Sequence, residues 1–175
     1  LTTAYAMLVN GGKRIQPTLL DRIQDRHGLT VFRHDRRDCV GCRRDINTGD
    51  LPPVISDNRL QVTDAASAYQ VVAMLKGVVD RGTGRRISEV GKPLAGKTGT
   101  TNEERDTWFI GFSPDLAVGV FVGFDTPVPL GRRETGSSVA APIFKDFMAK
   151  ALEGKPAIPF RIPPNIRLVR VNART

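Results

Sequence analysis

Apolar residues recur at helical spacing in three parts of the chain, and each part predicts a helix. These parts are residues 2–10, 63–81 and 142–152. Gly11-Gly12 follows the first and is typical of a helix end, because glycine tolerates a positive φ. Thr63 or Asp64 can cap the start of the second, and Pro142 suits the first turn of the third. The apolar stripe of the third helix consists of Ile143, Phe144, Phe147, Met148, Ala151 and Leu152.

Strands are predicted in the middle of the chain, where apolar and small residues alternate. A tight turn at Ser113-Pro114-Asp115 makes them an antiparallel meander of three strands, at 94–101, 107–112 and 116–124. One face of the third strand is mostly small, so we expect another element to pack closely on it. That face carries Ala117, Gly119, Phe121 and Gly123.

Two further features complete the predicted elements. Residues 18–23 and 29–33, separated by a turn at 25–28, predict a hairpin. Trp108 and Phe109 begin the second strand of the meander, and we expect both in the core. Together the segments predict an α+β fold in which an antiparallel sheet is flanked by helices.

Composition narrows the function classes without choosing one. The length of 175 residues suits one domain, and 40% hydrophobic residues exclude wholesale disorder. The net charge of +8 is scattered along the chain, which favours a solvated surface over a nucleic-acid partner. The longest apolar run, residues 116–124, is about half of a membrane span, so no membrane anchor is expected in this chain.

The segment Gly91–Thr98 fits the phosphate-binding pattern G-x-x-x-x-G-K-[ST]. That loop needs an apolar strand before it and a helix directly after it. Residues 85–90 are a poor strand, and residues 99–102 are poor helix formers. A nucleotide site is therefore the weakest of the functional hypotheses.

The same residues support another chemistry when Lys97-Thr98-Gly99-Thr100 is placed on a strand. A lysine and two hydroxyls can bind a carboxylate, and a strand edge can pair with an extended peptide. Gly99 would let the substrate approach, and the Thr100 N–H could serve an oxyanion hole. An ideal pleat puts Lys97 on the opposite face from Thr98 and Thr100, so joint action needs twist or a bulge.

The surroundings of this tetrapeptide resemble the transpeptidase domain of the class A penicillin-binding proteins. The resemblance rests on GKPLAGKTGTTNEERDTWFIGFSPDLAVGVFVGFD, and it extends over nearly the whole chain. It implies part of a β-lactamase/transpeptidase-like fold, built on a five-stranded antiparallel sheet. It also implies D,D-transpeptidation of peptidoglycan stem peptides ending in D-Ala-D-Ala, blocked by β-lactams, without a metal or other cofactor.

By this resemblance, Lys97 and Thr100 are the catalytic residues. Lys97 would support proton transfer, and the Thr100 amide would complete the oxyanion hole. Thr98, Gly99 and Thr100 would bind the substrate. The location implied is the periplasmic face of a bacterial inner membrane, in a membrane-anchored protein.

The chain also departs from the family, which needs the motifs S-x-x-K and S-x-N before K-T-G. None of its serines has a lysine three residues later. Ser56-Asp57-Asn58 spells the second motif. It follows the stretch that, in the family, already comes after S-x-N, so we expect it to be a chance match in a loop. Residues 1–152 are therefore expected to be the C-terminal part of the domain, which needs the missing N-terminal part as its partner. Residues 153–175 would form a Pro/Arg-rich connecting segment, and a non-catalytic binding or structural fragment is the alternative.

Two cysteines lie in residues 35–50, which we expect to form an exposed loop. The oxidising envelope that the resemblance implies favours a Cys39–Cys42 disulfide. Free thiols, or a zinc site completed by His27 and His34, are the alternatives.

Overall fold

The computed structural model describes residues 1–37, 39, 55–169 and 172 of the chain. These residues divide into two compact units. The larger unit combines Leu1–Lys13 with Gln61–Thr175, and the smaller unit consists of Arg14–Leu60. None of the helices in the described part of the chain has the length and hydropathy of a membrane-spanning segment.

All three predicted helices are confirmed and lie in the larger unit. They are α1 (Thr2–Val9), α2 (Ala65–Arg81) and α3 (Ala141–Ala151). The side chain of Asp64 caps α2 by accepting a hydrogen bond of 2.9 Å from the Ser67 N–H. Two short elements were missed by the sequence patterns: a 3₁₀ helix at Arg85–Val90 and a π-helical turn at Gly136–Ala140. A further 3₁₀ turn occupies Asn102–Glu104.

The predicted meander is confirmed as a three-stranded antiparallel sheet in the larger unit. Its strands, in spatial order, are β3 (Ala95–Thr100), β4 (Asp106–Phe112) and β5 (Ala117–Gly123). A Cβ atom added at Gly119 would lie 2.3 Å from the Thr2 hydroxyl oxygen. Helix α1 therefore packs closely on the small face of the last strand, as the sequence predicts.

A hydrophobic cluster covers each face of the sheet. On one face, Phe109 packs on Phe144 of α3, with the two ring centroids 4.7 Å apart. On the other face, the ring centroids of Phe112 and Phe160 lie 5.7 Å apart, and Phe112 also packs with Tyr5 of α1. Helix α2 contributes to both clusters, since Val79 belongs to the first and Val72 to the second. The structure is thus the predicted α+β arrangement of an antiparallel sheet between helices.

Two expectations about the core are wrong in part. Phe109 is fully buried, but Trp108 lies on the opposite face, where it stacks on the half-exposed Phe121. Strand alternation sends adjacent residues to opposite faces, and Trp108 lies towards the start of β4, beyond the buried Ile110 and Phe112 of its own face. On α3, Ile143 and Phe147 are about half exposed, and only Phe144, Met148 and Leu152 are buried members of the predicted stripe.

The smaller unit contains the predicted hairpin in shortened form. Its strands are β1 (Arg22–Gln24) and β2 (Thr30–Arg33). The first half of the predicted strand 18–23 is wrong, because the Thr18 hydroxyl accepts the N–H of Leu20 and forms a local turn. The turn at 25–28 is present, and the Asp25 carboxylate accepts the N–H groups of its neighbours.

Candidate active site

Lys97, Thr98, Gly99 and Thr100 all lie on β3, at one edge of the described sheet. The register with β4 is regular through this segment, so no bulge brings Lys97 round to the side of its neighbours. Instead, the long side chain folds back over the edge of the strand. The Lys97 Nζ atom lies 3.0 Å from the Thr98 carbonyl oxygen and 3.4 Å from the Thr98 hydroxyl. These contacts are to neutral oxygens, so they leave the positive charge for an anionic ligand.

The backbone of β3 directs two N–H groups away from β4. The Thr101 N–H donates to the Asp106 carbonyl at 3.0 Å, so these two residues form a hydrogen-bonded pair. Antiparallel pairs alternate between bonded and non-bonded. Thr98 and Thr100 therefore occupy non-bonded pairs, with their N–H and C=O groups pointing to the outer edge. The Lys97 contact to the Thr98 carbonyl at that edge agrees with this assignment.

The Thr100 side chain has a structural partner that the sequence pattern did not reveal. Its hydroxyl accepts the N–H of Gly136, the first residue of the π-helical turn, at 3.0 Å. A Cβ atom at Gly136 would lie 2.5 Å from the Gly99 carbonyl and 2.4 Å from that of Trp108. The turn therefore sits directly on β3 and β4. Because the Thr100 hydroxyl accepts this bond, its own proton stays available to a ligand.

Gly99 is in close contact with the neighbouring strand. A Cβ atom at this position would lie 3.2 Å from the Cβ atom of Trp108. That is tighter than ordinary van der Waals contact, so the neighbour would have to shift to admit a larger residue. Packing against Trp108 thus accounts for glycine here, alongside the substrate approach expected from the sequence.

Two residues close to the motif were missed by sequence reasoning. The Thr83 hydroxyl lies 3.0 Å from the Thr98 hydroxyl, and the Ser137 hydroxyl donates to the Thr83 carbonyl at 2.8 Å. Thr83 follows the end of α2, and Ser137 lies in the π-helical turn. The glycines on either side of Thr83 are typical of a helix end and carry no signal for a contact with β3. Only the tertiary structure brings these three segments together.

The phosphate-loop hypothesis is wrong. Gly96, Lys97 and Thr98 belong to an extended strand, whereas the phosphate loop needs a helix N-terminus directly after the Lys-Thr pair. The segment before Gly91 is a short 3₁₀ helix and not the apolar strand that the motif requires.

The remaining sequence-predicted groups lie in the smaller unit. Cys39 is disulfide-bonded, so its sulfur is not a thiolate that could bind zinc. Cys42 and most of the predicted loop at 35–50 lie outside the described residues, and the pairing of the two cysteines stays a prediction. Ser56-Asp57-Asn58 lies in an irregular segment, where the Asp57 carboxylate accepts a hydrogen bond of 2.8 Å from Arg59.

Comparison with known proteins gives a consistent result. The sequence profile of the penicillin binding protein transpeptidase domain matches residues 1–149. This chain belongs to that family.

Curated relatives and solved structures agree with this assignment. The chain is 48% identical over 179 residues to penicillin-binding protein 1A of Rickettsia bellii, with 100% of the chain and 22% of the relative covered. It is 34% identical to penicillin-binding protein 1A of Neisseria gonorrhoeae, covering 93% of the chain and 18% of that protein. The crystal structure of penicillin-binding protein 1A from Haemophilus influenzae superposes with a TM-score of 0.73 at 29% identity. That match covers 93% of this chain and 27% of the other.

Membership of the transpeptidase family therefore accounts for the α+β architecture. The chain spans about a fifth of the length of these curated relatives, 22% of the Rickettsia bellii protein and 18% of the Neisseria gonorrhoeae protein.

Proposed function

We propose that the complete protein containing this chain is a serine-type D,D-transpeptidase that cross-links peptidoglycan, and that this chain supplies its K-T-G strand. The observation that carries the proposal is the edge of β3. There the Lys97 ammonium, the Thr98 hydroxyl and two outward N–H groups converge. Membership of the transpeptidase family supports the reaction class.

Each group at this edge has a distinct role in the proposed reaction. Lys97 attracts the terminal carboxylate of the stem peptide, and the Thr98 and Thr100 hydroxyls donate hydrogen bonds to it. The outward N–H of Thr100 is the oxyanion-hole donor for the carbonyl under attack. Lys97 also supports proton transfer at the reacting centre. The serine nucleophile and its lysine would come from an S-x-x-K motif outside these residues.

The same proposal fixes the expected partners and location. The donor is a peptide ending in D-Ala-D-Ala, and β-lactams are inhibitors because they acylate the same serine. The N-terminal part of the domain is the structural partner of this chain. The protein works at the periplasmic face of the inner membrane, in a membrane-anchored form, where its peptidoglycan substrate is found. Residues 153–175 serve as a connecting segment.

Lys97→Ala in the complete transpeptidase domain tests the proposal. One charge-assisted contact realised in the transition state is worth about 10- to 150-fold in rate. We expect the second-order rate of acylation by a fluorescent penicillin to fall by at least that range, and transpeptidation with it.

Lys76→Ala is the matched control. It also removes one exposed lysine, which pairs with Asp80 on α2 and lies in none of the groups described above. It should leave acylation unchanged. Normal acylation by Lys97→Ala, with circular dichroism matching the parent domain, would overturn the proposed role of this strand.

A further inference from the structure

The contacts of Thr98 go beyond its place in the K-T-G segment. Its hydroxyl has two neighbours: the Lys97 ammonium at 3.4 Å and the Thr83 hydroxyl at 3.0 Å. An ammonium can only donate, so Lys97 uses a lone pair of the Thr98 oxygen. The direction of the remaining bond, between Thr83 and Thr98, decides whether Thr98 has a proton left for a ligand.

The two directions have opposite chemical consequences. If Thr98 donates to Thr83, its single proton is used inside the protein and cannot reach a carboxylate. If Thr83 donates to Thr98, the Thr98 oxygen accepts from both neighbours and its own O–H is free to donate outward. Two accepted bonds also fix the rotation of the hydroxyl, which pre-organises that proton for an anion.

Thr83 itself is held from a third segment. The Ser137 hydroxyl donates to the Thr83 carbonyl at 2.8 Å, which ties the end of α2 to the π-helical turn. Ser137 follows Gly136, whose N–H is bound by Thr100 on β3. The turn thus contacts the strand at Thr100 and holds Thr83 over Thr98.

We propose that Thr83 is a positioning residue for carboxylate recognition, donating its hydroxyl proton to Thr98 so that Thr98 donates to the substrate, with Ser137 holding Thr83 in place. This inference rests on the function proposed above. Thr83 does not touch the reacting atoms and acts only through Thr98.

Two substitutions at one position distinguish the hydroxyl from the methyl group. Thr83→Val keeps the shape and removes the hydroxyl, whereas Thr83→Ser keeps the hydroxyl and removes the methyl. In the complete domain we expect Thr83→Val to lower the second-order rate of acylation by penicillin about 2- to 10-fold, the effect of one neutral hydrogen bond. Thr83→Ser should retain most of the rate. A role in packing predicts the opposite order, and that order would overturn the proposal.

A double-mutant cycle tests whether Thr83 acts through Thr98. In a Thr98→Val background, Thr83→Val should cause no further loss, because the hydroxyl that it orients is gone. Independent, multiplicative losses would contradict the proposal. Ser137→Ala carries the same cycle if Thr83→Val fails to fold: it should lower the rate in the parent and leave it unchanged beside Thr98→Val.

Lys97→Ala separates the two proposals. If Lys97→Ala abolishes acylation while both Thr83 variants behave as the parent, the role of Thr83 fails and the proposed function stands. If Lys97→Ala acylates normally, the proposed function fails first.

Discussion

Thr98 and Thr100 have the same side chain and lie on the same face of β3, yet the structure gives them different work. The Thr98 hydroxyl is surrounded by other side chains, those of Lys97 and Thr83. The Thr100 hydroxyl accepts a backbone N–H from Gly136 and so holds a neighbouring element in place. Sequence reasoning assigned both hydroxyls to the carboxylate, and the Thr100 amide to the oxyanion hole. The structural duty of Thr100 changes what its substitution should do.

Thr100→Val should destabilise the domain, because the Gly136 N–H loses its acceptor in a part-buried site. Leaving such a donor unsatisfied costs about 1–3 kcal/mol. Thr98→Val, which removes a more exposed bond between two hydroxyls, should cost less. Thr100→Ser keeps the acceptor and is the control. Free energies of unfolding from urea titrations of the complete domain would check the ranking, and equal values for the two valine variants would contradict it.

At the scale of elements, the site depends on how the π-helical turn and α2 meet the sheet. Gly136 lies so close to the backbone of β3 and β4 that no side chain fits there. Helix α2 reaches the site through its C-terminal end, and its N-terminal end is fixed by the Asp64 cap. Substitutions in the π-helical turn or at the C-terminal end of α2 should therefore shift β3 without changing the K-T-G residues themselves.

Gly136→Ala should displace the π-helical turn from β3. The new Cβ atom would lie within 2.5 Å of two backbone carbonyl oxygens, which cannot move as a flexible side chain can. We expect lower stability and slower acylation together, since Thr100 and Ser137 both lose their geometry. Gly77→Ala within α2 is the matched control: its Cβ atom meets only the end of the Arg81 side chain, and replacing a helical glycine should stabilise by about 0.5–1 kcal/mol. Thermal unfolding and penicillin acylation of both variants test the contrast.

The cap of α2 predicts a pH dependence of stability. Hydrogen bonds from Ser67 hold the pKa of Asp64 below its ordinary value. The ionised cap therefore stabilises the fold fully above the ordinary carboxyl pKa, and this contribution is lost as the pH falls through the lowered pKa of the folded state. Asp64→Asn still accepts the bond but does not titrate. The stability difference between the parent and this variant should stay constant from pH 7 to about pH 4 and should shrink as the pH falls further. A difference that stays constant below about pH 4 would exclude the effect.

At the scale of the whole molecule, the elements that depend on periodicity were predictable. The three helices and the meander follow from apolar spacing, and the glycine-rich face of β5 correctly indicated a close neighbour. Most of the parts that failed depend on contacts between distant segments, whereas the first half of the predicted strand 18–23 failed because of a local turn at Thr18. Trp108 was placed in the core by its residue type, although it lies towards the start of β4, beyond the buried Ile110 and Phe112 of its own face.

The candidate site divides in the same way. Lys97, Thr98, Gly99 and Thr100 were found as a local motif, and the structure keeps them on one strand. Thr83 and Ser137 have no local signal, because their partners are distant in sequence. Thr83 bonds Thr98, which lies 15 residues away, and Ser137 bonds Thr83 from 54 residues away. The contacts of Thr83 and Ser137 form only when the chain has folded.

The isolated chain should form no stable covalent adduct with a fluorescent penicillin. Acylation needs a hydroxyl activated by an adjacent base, and no serine among the 175 residues is followed by lysine at the third position. Ser137 and Ser138 lie in the π-helical turn that contacts the K-T-G strand. The Ser137 hydroxyl donates to the Thr83 carbonyl, and the Ser138 hydroxyl contacts the Thr135 carbonyl and the Glu134 carboxylate. Neither serine is followed by the lysine base that the S-x-x-K motif provides. Labelling on a denaturing gel, followed by peptide mapping, checks this outcome beside the complete domain as positive control. An adduct on any of these serines would place the nucleophile within this chain and overturn the assignment of the S-x-x-K motif to residues outside it.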